Sequence, residues 1–122
     1  MSKREEIKKA NDLKRLVKYR SIANRRNCCK YWGKTTHPHF IVMCEVCFKL
    51  AQNGYDFWTE VEGKDGLWRA DILAINGSVG QIIEILHTET DKKFENKKDS
   101  YPKEFILRSV RTKGFNIDEF DI

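Results

Sequence analysis

Nowhere in the chain does an apolar run approach the roughly 18 residues that a membrane-spanning helix requires. The opening stretch, MSKREEIKK, lacks the apolar core of a secretory signal. There is no internal repeat and no low-complexity segment, and the only two prolines, Pro38 and Pro102, stand beside predicted element starts. These absences lead us to expect a soluble intracellular protein with no membrane partner. A length of 122 residues suits one core and not two. Acidic residues are scarce at the start. Residues 1–35 hold twelve Lys and Arg against three Asp and Glu, whereas residues 36–122 hold eleven against fifteen. The net charge of +5 therefore describes a basic arm on a mildly acidic body. Such an arm suits a polyanion, nucleic acid first, although a charge run is also what a solvated helix face looks like.

The arm reads as a helix from about Lys3 to Asn24. Ser2 and Glu5 have capping-box spacing, and Ile7, Ala10, Leu13, Leu16 and Val17 recur at helical intervals. The other face carries Lys8, Lys9, Lys14, Arg15 and Lys18, and the connector RRNCCKYWGKTTH adds Arg25 and Arg26. These are the candidate nucleic-acid contacts. The arm's apolar face either covers its own domain or meets a second copy. A second helix is expected from Pro38, a favourable first-turn residue, to Asn53-Gly54. Its interior, HFIVMCEVCFKLAQ, is apolar on nearly every face, as a helix packed between other elements would be. Glu45 is the exception, and an ion pair with Lys49 one turn on is its plain explanation.

After Gly54 the period becomes two. YDFWTEV, WRADILAI and QIIEIL read as a three-strand meander with glycine turns, TDKKFENKKDSY as an exposed helix, and EFILRSV as a fourth strand. The closing TKGFNIDEFDI favours no element. The expected class is α/β, helices packed on a mixed sheet.

Asp71 and Glu84 stand inside strands that are otherwise apolar. In a hairpin, paired residue numbers have a constant sum and side chains alternate between faces. A two-residue Gly77-Ser78 loop pairs Asn76 with Val79 and places Asp71 opposite Glu84. An Asn76-Gly77 loop would move the pairing by one step and keep both carboxylates on the same face, whereas a three-residue loop would separate them. Facing carboxylates destabilise a sheet unless neutralised. A hard divalent ion does this with one or two protein carboxylates, keeping water and substrate phosphate as its other ligands, and so suits phosphodiester hydrolysis. The alternative is an ion pair with Arg69 or a nearby lysine.

The order helix, strand, strand with Asp, strand with Glu resembles the PD-(D/E)xK nuclease superfamily, the restriction-endonuclease-like fold that includes archaeal Holliday-junction resolvases. GYDFWTEVEGKDGLWRADILAINGSVGQIIEIL followed by KKDSYP is similar to small nuclease-like proteins of archaea and their viruses, with their TEV…RAD and EI…S/TE layout. The resemblance covers about residues 38–110. It implies an α-β-β-β-α-β core with a central mixed sheet over residues 36–122, preceded by a basic helix and connector over residues 1–35. It also implies a Mg²⁺- or Mn²⁺-dependent DNA endonuclease, a hydrolase, often dimeric, acting in the host cytoplasm if viral. Asp71 and Glu84 would be its metal ligands and Glu45 an additional carboxylate from the first helix of the core. Two positions depart from the pattern: Ala70 stands where many members have Pro, and Leu86 where the family has its lysine. That lysine stabilises charge on the phosphate and helps the attacking water. Lys92, Lys93, Lys97 and Lys98 follow the strand, with Lys98 or Lys97 the preferred replacement; His87 is adjacent but alternates away. The competing reading is a nuclease fold without catalysis, serving as a DNA-binding or assembly module.

Cys28, Cys29, Cys44 and Cys47, with His37 and His39, contain enough ligands for zinc. Their spacing is poor, and buried free cysteine acting as a small hydrophobe is the simpler role, with a disulfide disfavoured in a reducing cytosol. His37 and His39 are expected to cap or flank the helix. Trp58 and Trp68 are expected in packing, and Trp32 with Tyr31 as candidates for stacking on a nucleotide.

Overall fold

The computed structural model describes residues 1–31, 33 and 35–122. Trp32, the stacking candidate, lies outside the described residues. The elements are α1 (Lys3–Lys14), α2 (Tyr19–Ile22), α3 (His37–Gln52), β1 (Asp56–Glu62), β2 (Arg69–Asn76), β3 (Val79–Leu86), α4 (Asp91–Lys97) and β4 (Ile106–Arg111). Short 3-10 turns occupy Lys98–Ser100 and Ile117–Glu119. The strands form one open sheet in the order β1-β2-β3-β4. β1 to β3 are antiparallel neighbours, and β4 runs parallel to β3. A parallel pair needs a crossover, which α4 and its flanking loops supply. The expected mixed α/β sheet is thus present.

The sheet is covered on both faces. On one, Val42, Met43, Val46, Cys47 and Leu50 of α3 pack on Phe57, Ile72, Ala74, Ile83 and Ile85. Phe120 closes this layer with Phe115, Ile117 and Ile122, giving the unassigned C-terminal stretch a packing role. On the other face, Leu13 and Val17 of the arm share a cluster with Trp58, Val61, Trp68, Leu73, Ile75, Ile82, Tyr101 and Phe105. The arm's apolar face therefore covers its own sheet, and both meander tryptophans are core residues.

Local signals set most boundaries. The Ser2 hydroxyl accepts from the Glu5 amide at 3.1 Å, and the Thr36 hydroxyl accepts from the His39 amide at 3.4 Å, capping α1 and α3. Asn53 ends α3, and Gly54 follows at φ +84°, a left-handed position that glycine takes without strain. Two helix expectations need correction. α1 stops at Lys14 and not near Asn24 because the chain turns to lie along β1: Val17 bridges Gly63, and the Lys18 amide donates to the Glu62 carbonyl at 2.9 Å. α3 is covered on one side only, leaving Ile41 and Phe48 exposed.

Candidate functional site

The Gly77-Ser78 turn has two residues, with Asn76 paired to Val79 and Ile72 to Ile83. Continuing that register brings Asp71 to Glu84, as the constant-sum argument expects. The strands do not close there as an ordinary ladder. The Asp71 amide donates to Glu84 Oε1 at 3.4 Å, and the Ile85 amide donates to Asp71 Oδ2 at 2.7 Å. Each carboxylate stands in for a backbone carbonyl.

A second irregularity adjoins this one. β1 pairs Thr59 with Ile72 and Val61 with Ala70, skipping Glu60 and Asp71. Glu60 sits at φ +53°, a left-handed conformation that costs a non-glycine residue about 1–3 kcal/mol. Face alternation slips as a result: Trp58 and Val61 point into one layer, as do Leu73 and Ala70. The slip frees Asp71 from the arm side of the sheet, where alternation from Leu73 would have placed it. Its Oδ2 instead lies 3.3 Å from Nε2 of His39, in the first turn of α3. Glu84 keeps its alternation and faces the arm side, where the Tyr101 hydroxyl donates to its Oε1 at 3.1 Å. The two carboxylates touch from opposite layers of the fold.

The resulting cavity has a volume of about 250 Å³ and is lined by Thr35, Thr36 and His39 at the start of α3, Glu60 and Asp71 on the sheet, and His87 and Thr88 after β3. Burial, and then the charge of Asp71, hold the Glu84 carboxyl well above the ordinary carboxylate range. Burial and Asp71 likewise raise Glu60. The hydrogen bond to Asp71 raises His39 against the opposing effect of its own burial. Tyr101 is raised by burial and by Glu84. The Tyr101 hydroxyl also lies 3.2 Å from the Arg69 carbonyl, so one proton faces two acceptors. A proton on Glu84 resolves that competition. His39 Nδ1 is buried and meets no hydrogen-bond partner among the described residues.

The remaining candidates scatter. Glu45 is exposed on α3 and does not line the cavity. Nor does it hold Lys49, whose ammonium meets the carbonyls of Ile117, at 2.9 Å, and Phe120. Lys98 turns to Glu95 at 2.8 Å and lies over the Phe94 ring, so the preferred lysine is directed elsewhere. Lys97 pairs with Glu89 and exerts its charge on Glu84. Leu86 is buried. Nδ1 of His87 lies 2.7 Å from the Thr112 hydroxyl oxygen. Sequence reasoning missed Glu60, Tyr101 and the site role of His39. The register arithmetic that paired Asp71 with Glu84 would also have paired Glu60 with Asp71, had the length of the β1–β2 turn been known.

The four cysteines and two histidines do not converge as one zinc set among the described residues: no group of three or more ligand-type side chains holds a metal geometry. His39 is taken by Asp71, His37 is exposed, and the Cys28 thiol turns to the Arg26 carbonyl. Cys29 does meet Cys47 and Cys44, whose thiol hydrogen bonds, Cys47 first, lower its pKa to about 7.

Of the basic arm residues, Lys8 and Arg15 pair with Asp12 and Lys18 with Glu62. Lys14 stands 5.6 Å over the Trp58 ring. Lys9, Arg25 and Arg26 are exposed. No helix among the described residues is long and apolar enough to cross a membrane. No family model matches the chain, and neither a curated protein nor a solved structure matches it.

Proposed function

We propose that the chain is a divalent-metal-dependent deoxyribonuclease with a PD-(D/E)xK-like core, centred on Asp71 and Glu84. The observation that carries this reading is their contact at the point where β2 and β3 leave their ladder. Two carboxylates placed together there are offset by His39 on Asp71 and by the protonated form favoured on Glu84, a role that a divalent cation would take over. The strand order, the parallel β4 and the crossover helix agree with the α-β-β-β-α-β order that the resemblance implies.

The donor set fits a hydrated hard cation. Such ions are satisfied by one or two protein carboxylates with water in the remaining positions. Asp71 and Glu60 would face it from the cavity, and Glu84 would join Asp71 by turning its carboxylate from the Tyr101 hydroxyl. When bound, the ion would supply Lewis-acid stabilisation of charge on phosphorus. His39 stands at the cavity wall, and its hydrogen bond to Asp71 favours the protonated imidazole. Of the two lysines expected to stand in for the family's, Lys97 is the one whose charge reaches Glu84, and Lys30 acts on Glu60. Thr35 and Thr36 place hydroxyls at the rim.

The second reading, a nuclease fold serving as a DNA-binding module, is favoured by Leu86 and by the structural use of both carboxylates in hydrogen bonds to the strands. One experiment separates the two. Labelled single-stranded, duplex and four-way-junction DNA is incubated with Mg²⁺, Mn²⁺ or chelator and wild type, Asp71→Ala or Glu84→Ala, and the melting temperature of each protein is recorded with and without Mn²⁺. Nuclease action predicts ion-dependent cleavage and an ion-dependent rise in melting temperature, both lost in the variants. Unchanged melting and no cleavage by wild type would leave the binding module.

A further inference from the structure

A second concavity lies outside the carboxylate site. It is a groove of about 780 Å³ where the end of α1, the bridge segment, α2 and the β1–β2 turn meet. Val17 and Ile22 supply apolar surface, and Lys14, Arg15, Lys18 and Lys64 stand around it. Tyr19 lies on the same wall with 81% of its surface exposed. An aromatic ring left that open contributes little to the core.

The groove is built on rigid backbone. Val17 bridges Gly63, and the Lys64 amide donates to the Leu16 carbonyl at 2.9 Å. Glu62 neutralises part of the charge, meeting both Lys18 and Arg20 at 3.1 Å. Asp12 meets Arg15. Five lining cations against these two acids leave an excess of positive charge around an apolar floor. That pairing of features suits a ligand with flat apolar faces on a polyanionic backbone. A stacked duplex hides its base faces, whereas a single strand presents them.

We propose that this groove binds single-stranded nucleic acid, with a base on Tyr19 and the Val17–Ile22 floor and phosphates at Lys14, Arg15 and Lys64. Placement joins it to the carboxylate site. Glu62, which organises the groove, is two residues along β1 from Glu60, about 7 Å of strand. The inference deepens the nuclease reading by naming the form of substrate, and rests on it only for what becomes of the bound strand.

The test is fluorescence anisotropy in chelator, where cleavage plays no part, with a labelled single strand of about a dozen nucleotides and a hairpin duplex of the same sequence. Wild type is compared with Tyr19→Ala, Lys64→Glu, Asp71→Asn and the control Lys103→Glu, whose side chain is 85% exposed. Single-strand affinity should fall about tenfold in Tyr19→Ala. Lys64→Glu should weaken it and reduce the salt slope by about one. Lys103→Glu should bind as wild type and Asp71→Asn, which removes a negative charge, no more weakly than wild type, so loss of the nuclease reading would leave this result standing. Groove variants that bind like wild type, wild type that binds no single strand, or duplex bound as tightly as single strand would each overturn the proposal. So would polyglutamate of equal charge binding as well as the oligonucleotide, which would assign the groove to an acidic peptide.

Discussion

Asp71 and Glu84 complete each other's strand. The Asp71 amide donates to the Glu84 carboxylate, and the Asp71 carboxylate accepts from the Ile85 amide, next to Glu84 in the chain. The bonds stabilise the opened strand ends, but they hold two acids together in a place where one of them is buried.

The cost falls on Glu84. Its folded pKa is raised above the unfolded value of 4.5 by burial and then by Asp71. Its favourable contribution is therefore full below pH 4.5 and lost as pH rises through the folded value. Glutamine keeps the acceptor used by Tyr101 and Asp71 and removes the buried charge. Glu84→Gln should accordingly be more stable than wild type at neutral pH in chelator, by about 1–3 kcal/mol, with the gain vanishing in acid. Denaturant melts across pH measure it; a destabilised Glu84→Gln at neutral pH would mean the carboxylate is already compensated.

His39 loses its contribution in the same direction of pH, although here the charged form is the favoured one. Its pKa is raised above 6.5 by the hydrogen bond to Asp71, and its side chain is 17% exposed. A raised histidine contributes stability that is complete below pH 6.5 and lost as pH climbs through the folded value. His39→Asn should cost about 1–2 kcal/mol at pH 6 and progressively less as pH climbs through the folded value. The Nε2 and Nδ1 chemical shifts of wild type should titrate above the free imidazole value, and Asp71→Asn should bring that titration down.

Much of this arrangement was legible before any coordinates. Apolar alternation marked the strands, Pro38 and Asn53-Gly54 bounded α3, and the Gly77-Ser78 turn set the register that brings Asp71 to Glu84. What was not legible is non-periodic. The left-handed Glu60 shifts face alternation within one residue, and no pattern of hydrophobicity encodes that. Likewise, Val17 and Leu13 fit one helical stripe, yet Val17 leaves the helix to pair with Gly63, a tertiary contact that overrides local propensity. Lys97 and Lys98, offered together as the replacement, are equivalent in composition, and only the structure shows that Lys98 meets Glu95 while the charge of Lys97 reaches Glu84.

The docking of the arm depends on the absence of a single methyl group. A Cβ at Gly80 would lie 2.9 Å from Leu13 Cδ1 and 2.8 Å from Phe105 Cδ1. Both neighbours belong to the core beneath α1. Gly80→Ala should destabilise the protein by about 1–3 kcal/mol, the range for overpacking a filled core. Hydrogen exchange should show the added opening concentrated in α1. Uniform exchange, with α1 still protected, would show that the side chains repack around the methyl.

The thiol group of Cys29 should be the reactive one inside the α3 layer. It lies half-buried against that core, and hydrogen bonds from Cys47 and then Cys44 favour its thiolate, lowering its pKa to about 7. Cys44 is raised to about 11, chiefly by burial, so it should stay protonated where Cys29 reacts. Thiolate is the attacking form, and its fraction sets the pH dependence of alkylation. With exposed Cys28 replaced by Ala, maleimide should label Cys29 first, with a half-maximal rate near pH 7. Cys47→Ala removes the principal hydrogen bond and should move that midpoint upward. A midpoint unchanged by Cys47→Ala would show that the low value has another cause, and labelling of Cys44 ahead of Cys29 would reverse the assignment.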